Sequence, residues 1–190
     1  YKNSADYRTA QKTELATAIS NGKTAIDAAT TVQGVNDALA AAKTVIDGIK
    51  TDAQLTAEEK PTFSAKDNDT QIDVSADAGV VPAGAVLVVK LISDGDAYNG
   101  IKITLGDTVD KFTAYDIYLL LDDSHIQPDG KVTIKIPVPA GYNVNELILY
   151  YVADDGSKEA IAHTVTEEDG KHYVTFSTTH FSSYVLAQKL

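Results

Sequence analysis

The stretch Lys131-Val-Thr-Ile-Lys-Ile-Pro-Val138 decides how the chain is read. Val132, Ile134, Ile136 and Val138 fall at every second position, with Thr133 and Lys135 between them. A period of two puts the four apolar side chains on one face of an extended strand and the polar ones on the other. Such a strand cannot cover its own apolar face, so the neighbouring text must supply partners.

It does. From Thr62 onward, short runs rich in Val, Ile, Thr and Tyr alternate with Asp, Gly and Pro. About nine strands are predicted, near residues 62–66, 71–76, 85–93, 111–121, 131–138, 146–153, 158–166, 171–178 and 182–188. Glu167-Glu-Asp-Gly170 predicts a hairpin. A two-residue turn at Asp169-Gly170 would pair His172 with Glu167 and His163 with Phe176. Many short strands at this spacing predict an antiparallel Ig-like β-sandwich. Residues 98–105 fit two readings. Ile101, Ile103 and Leu105 alternate as in a strand, whereas Tyr98, Ile101 and Leu105 share a helix face closed by Gly106. The short helix is the preferred reading.

Upstream of Pro61 the period changes. Val32, Val35, Leu39, Ala42, Ile46 and Ile49 follow at spacings of three and four, which predicts a helix over 32–50 with a narrow apolar stripe. Thr30 and Gln33 suggest its capping box. Leu15, Ile19, Gly22, Ile26 and Ala29 keep one phase across Asn21-Gly22, which favours one helix over 5–29 despite the turn signal; a break there would leave three short helices. The junction between the two is short enough to force an antiparallel hairpin, with the stripe buried between its helices. Thr56 with Glu59 suggests a further single turn. The fold class is therefore α then β: an α-helical hairpin over 1–60 and a β-sandwich over 61–190.

Composition narrows the functions. A formal net charge of −11, with Arg8 the sole arginine, disfavours nucleic acid and anionic membranes. Apolar residues make up 44% of the chain, yet no run approaches the roughly 18–20 residues that span a bilayer, so no membrane insertion is expected. The chain has no cysteine, which excludes disulfides and thiol nucleophiles. It opens on Tyr1 and has no methionine, and so reads as a segment of something longer.

Ile26-Asp-Ala-Ala-Thr-Thr-Val-Gln-Gly-Val-Asn-Asp-Ala-Leu-Ala-Ala-Ala-Lys43 and Ile49-Lys-Thr-Asp-Ala-Gln54 resemble the Ala-rich, FIVAR-type helical repeats of Gram-positive surface proteins. Val81-Pro-Ala-Gly-Ala-Val86, Gln127-Pro-Asp-Gly-Lys-Val-Thr-Ile134 and Val174-Thr-Phe-Ser-Thr-Thr-His-Phe-Ser-Ser-Tyr-Val185 resemble a sandwich repeat of the same large proteins. More distantly, Pro82-Ala-Gly-Ala85 and the His180-Phe-Ser ending are similar to ZU5/UPA-like β-domains. The resemblance implies a bacterial cell-surface or secreted location, neighbouring modules in the same polypeptide, and no catalytic residues.

The chemistry-bearing residues suit that expectation. His125, His163, His172 and His180 lie on or beside predicted strands, and no G-x-S-x-G elbow organises a nucleophile. Asp94-Gly-Asp-Ala-Tyr-Asn-Gly100 is superficially similar to a calcium loop, but its Asn and Gly arrive one residue late and no Glu closes it. Asp67/Asp69, Asp122/Asp123 and Asp154/Asp155 read as turn residues. No metal, cofactor or catalytic residue is therefore expected. Sugars stack on aromatic rings, and ten tyrosines are present. Of the Tyr150-Tyr151 pair, one should face the core and the other outward. Exposed Tyr98, Tyr142, Tyr150 and Tyr184 are the candidate ligand-binding residues. The expected function is a non-catalytic structural or adhesion module that spaces and presents neighbouring domains, with host or microbial glycans or surface proteins as further partners. The alternative is a glycan-binding accessory module of a secreted glycoside hydrolase or peptidase.

Overall fold

The computed structural model describes residues 1–153 and 155–190; Asp154, one half of the last acidic pair, lies outside the described residues. The chain divides into two units, Tyr1–Glu58 and Glu59–Leu190.

In the first unit, α1 (Thr9–Ala28) and α2 (Val32–Gly48) form an antiparallel hairpin followed by α3 (Asp52–Glu59). Helix α1 runs unbroken through Asn21-Gly22 because Gly22 is buried where the helices come closest, beside Ala42. Leu15, Ala18 and Ile46 pack with Tyr7 and Ile49. The cap of α2 is Thr31, whose Oγ1 accepts from the Gly34 N–H at 3.0 Å, and not Thr30; Gln33 instead donates to Asp37. The third helix starts earlier than Thr56. Thr51 and Gln54 form its reciprocal capping box, with Thr51 N–H donating to Gln54 Oε1 at 2.9 Å and Gln54 N–H to Thr51 Oγ1 at 3.3 Å. Thr56 serves another purpose: the Arg8 guanidinium at the head of α1 donates to it at 3.0 Å and pairs with Asp52.

The apolar stripe of α2 is buried only in part. Ile46 is covered, but Leu39 is 47% exposed and Val32 82% exposed. A hairpin has one contact line, and a stripe that follows strict heptad spacing drifts off it along a straight helix.

Among the described residues, the second unit holds eleven strands in two antiparallel sheets: β1 (Phe63–Lys66), β2 (Asp73–Ala76), β3 (Val86–Ile92), β4 (Val109–Leu121), β5 (Ser124–Ile126), β6 (Val132–Pro137), β7 (Leu147–Val152), β8 (Lys158–Ile161), β9 (Thr164–Glu168), β10 (Lys171–Thr178) and β11 (Ser183–Lys189). One sheet has the order β1-β2-β6-β10-β9 and the other β3-β4-β11-β7-β8, with β5 also on β4. Inward residues of both meet in the core, Val132, Ile134 and Ile136 from the first against Ile117, Leu149 and Leu186 from the second, all fully buried.

Two strands more than predicted arise from physical causes. Asp122 and Asp123 adopt positive φ and turn β4 back into the three-residue β5. The run 158–166 is not one strand: β8 pairs with β7 in one sheet, and β9 pairs with β10 in the other. At the crossing, His163 Nδ1 lies 3.0 Å from the Ile161 carbonyl. The Asp169-Gly170 turn pairs His172 with Glu167 as read, but the ladder ends at Thr175–Thr164, so His163 does not pair with Phe176.

Residues 98–105 belong to α4 (Gly95–Leu105), closed by Gly106 at φ +64°. Its Ile101 and Leu105 bury themselves against Ala114, Val152 and Val185 on the outer face of the second sheet. Strand β11 is thus covered on both sides, which explains the uninterrupted burial of Tyr184 to Ala187.

Candidate functional site

Tyr98, Ile101 and Leu105 lie on one face of α4 at helical spacing. Burial of the latter two holds Tyr98 over Phe112 of β4, ring centroids 5.0 Å apart and planes 24° from parallel. Tyr142 is delivered from another direction. It follows Gly141, at φ +81°, in the turn after β6, and its N–H donates to the Pro139 carbonyl at 3.3 Å. Its hydroxyl lies 2.9 Å from Thr113 Oγ1. Lys111 Nζ donates to the Gly141 carbonyl at 2.7 Å and sits 5.4 Å above the Tyr142 ring.

Burial pushes the Tyr142 phenol upward; the bond to Thr113 opposes this, and the nearby Tyr98 and Asp110 add to it. Tyr98 and Tyr142 thus stand within electrostatic range of each other, Tyr98 stacked on Phe112 and Tyr142 packed against the inner core. Beside them is a groove of about 440 Å³ lined by Tyr98, Phe112, Lys102, Asp107, Asp110 and Lys111, among others. Gln188 braces it, donating to Asp110 Oδ2 at 3.1 Å and accepting from the Asn143 N–H at 2.7 Å. Phe112, Asp107, Asp110 and Lys102 escaped the sequence reading. The only signal near them was the Tyr98–Ile101–Leu105 spacing, which implied a short helix between strands.

The other two candidates do not join this site. Tyr150 is half-buried on the sheet face that α4 covers. Lys158, 5.3 Å over its ring, donates to the Thr104 and Leu105 carbonyls at 2.8 and 3.2 Å, where a cation suits the helix C-terminus. Tyr151 packs against the inner core and is half-buried too, so neither neighbour stands out in solvent.

Tyr184 is no exposed platform at all. It is fully buried, and its hydroxyl donates to the His180 carbonyl at 2.6 Å and lies 3.1 Å from Thr178 Oγ1. A tyrosine near a strand start, bonded to backbone a few residues upstream, is a tyrosine corner and fixes the strand's entry. Burial pushes its phenol up to about 12.

The histidines have separate surroundings. His125 stacks on Tyr118 with centroids 4.2 Å apart, and His180 meets Tyr151 edge-on at 4.9 Å. Among the described residues no three His, Asp or Glu side chains gather to hold a metal. Asp94 stands immediately before α4 and Asp96 in its first turn, so the calcium-like stretch is a helix start. Asp67 and Asp155 are held below the usual carboxylate range by hydrogen bonds from Thr70 and Ser157, respectively, within their own turns. No helix among the described residues is long and apolar enough to cross a membrane.

A second surface feature lies on the hairpin. A groove of about 340 Å³ runs between the helices, its lining mostly apolar (Ile19, Gly22, Ile26, Leu39, Ala42 and Ile46) and completed by Tyr1, Lys23 and Lys43. Ile19 and Leu39 are exposed there. Compared with known proteins, the chain matches no protein-family model and no curated protein.

Proposed function

We propose that the chain is a non-catalytic structural or adhesion module of a multimodular extracellular bacterial protein, spacing and presenting the domains beside it. The observation that carries this reading is the open apolar groove of the hairpin, Ile19 and Ile26 against Leu39 and Ala42. Two helices bury each other along one line only, and an apolar strip left beside it gains by receiving a neighbour. The neighbouring modules of the same polypeptide are the partners in this reading. The resemblance of the helical and sandwich segments to Gram-positive surface repeats supports the location. The tyrosine corner at Tyr184 supports an Ig-like assignment of the sandwich.

Hydrogen exchange tests it by comparing this chain with the same residues inside the full translated gene product. Slower exchange along residues 19–26 and 39–46 in the longer product is expected. Identical exchange refutes packing by a neighbour, and a gene product without further modules refutes the multimodular reading.

A second reading, a glycan-binding accessory module of a secreted hydrolase or peptidase, is favoured by the aromatic groove at Tyr98 and Phe112. Host or microbial glycans would then be its partners. Retention of the chain on immobilised glycans tests this reading, and failure to bind any of a broad array refutes it.

A further inference from the structure

We propose that the groove between α4 and the start of β4 is a docking site for a neutral pyranose ring, with Tyr98 and Phe112 as its shelf; this rests on the glycan-binding reading and gives it a location. A pyranose presents a face of C–H groups carrying slight positive charge, and an aromatic ring presents a negative π face, so the two stack. The ring edge bears hydroxyls that need both acceptors and donors. The groove supplies all three. Tyr98 and Phe112 supply the rings, Asp107 and Asp110 are acceptors, and Lys102 and Lys111 are donors. Hydrogen bonds from hydroxyls to a carboxylate, or from an ammonium to a hydroxyl, are charge-assisted and stronger than neutral ones.

The shelf is set before any ligand arrives. Tyr98 is clamped on one side by Phe112 at 5.0 Å and anchored through α4 by Ile101 and Leu105, which are 5% and 2% exposed. Asp110 is braced by Gln188 at 3.1 Å. Groups already held in place lose little freedom on binding, which raises affinity at a given contact area. A volume of about 440 Å³ falls within the range of small-molecule sites, roughly 300–1,000 Å³.

Charge selects the kind of sugar. Two side-chain carboxylates face two ammoniums in the groove, which Leu190 also lines, while the chain as a whole carries −11. The local site has no excess cation to hold an acidic sugar, and the overall field repels one. The hairpin groove cannot serve in the same way, because its lining is almost wholly apolar and gives hydroxyls no carboxylate to bond.

Affinity electrophoresis of the intact chain tests the assignment. Gels would contain a panel of neutral polysaccharides (β-glucan, mannan, xylan, galactan) or polygalacturonate as the acidic comparison. Tyr98→Ala, Asp107→Ala, Asp110→Ala and, on the other sheet, Tyr173→Ala would run beside the parent chain, with near-ultraviolet circular dichroism as the check of folding. Because Tyr98 also packs α4, the exposed Asp107 gives an independent variant whose removal disturbs no packing. Retardation by at least one neutral polysaccharide is expected, weakened about tenfold by Tyr98→Ala and about threefold by each Asp variant, and unchanged by Tyr173→Ala. Retardation undiminished in the groove variants would overturn the location while leaving the glycan reading intact. No retardation by any neutral polysaccharide would overturn both. Retardation by polygalacturonate alone would overturn the neutral-sugar assignment.

Discussion

Gly22 of α1 and Ala42 of α2 lie so close that a Cβ added to Gly22 would stand 2.6 Å from the Ala42 Cβ. Cβ atoms of residues packed across an interface essentially never approach that closely, so the hairpin depends on the missing methyl group. This contact also explains why a glycine that signals a turn lies in mid-helix: close approach of the helices offsets its poor propensity.

Gly22→Ala should therefore destabilise the hairpin. Propensity alone would stabilise the helix by about 1 kcal/mol. Overpacking against a side chain that has no rotamer to escape into should outweigh it, for a net loss of about 1–2 kcal/mol. Urea melts followed by circular dichroism measure the loss, and Ala42→Gly in the same chain should recover part of it. A stabilised Gly22→Ala would show that the helices move apart freely.

Ile46 and Leu39 share the apolar stripe of α2 but should respond differently. Ile46, 9% exposed, should cost about 2–4 kcal/mol on truncation to Ala, as buried aliphatic residues do. Leu39, 47% exposed, should cost under about 1 kcal/mol, since little of it leaves water on folding. Equal losses would mean that Leu39 is covered in solution.

Alkaline pH should weaken the sandwich. Burial pushes both the Tyr115 and Tyr184 phenols up to about 12 from an ordinary 10.0. A group whose pKa is raised by folding contributes stability that is fully present below its unfolded value and lost as pH rises through its folded value. Stability should hold below pH 10 and fall between there and about 12. Tyr184→Phe should flatten part of that fall while costing about 1–2 kcal/mol at neutral pH for the lost bond to the His180 carbonyl. Denaturant midpoints across this range check both, and a flat profile in the parent chain would contradict the assignment.

Calcium should leave stability unchanged. Asp94 and Asp96 serve the start of α4, and Asp122 and Asp123 form the turn before β5. Thermal midpoints in excess calcium and in chelator should coincide. A rise with calcium would reveal selective binding to the folded chain.

Local periodicity was enough to place α before β. It identified the fully buried face of β6, the Asp169-Gly170 hairpin and the helix closed by Gly106. These features depend on neighbours a few residues away, and there spacing alone carries the physics. Periodicity names a face but not what covers it. Leu39 has the spacing of a core residue and lies beside the contact line, whereas Tyr184 reads as an exposed strand residue and is fully buried. The split of 158–166 into β8 and β9 is equally invisible, because both halves are extended and only their partners, β7 and β10, assign them to different sheets. The stacking of Tyr98 on Phe112 beside the aromatic groove has the same origin. One rides on a helix covering the outer face of a sheet and the other on a strand of that sheet. Tertiary packing alone brings them together, because strand pairing joins residues by register across the sheet and not by distance along the chain.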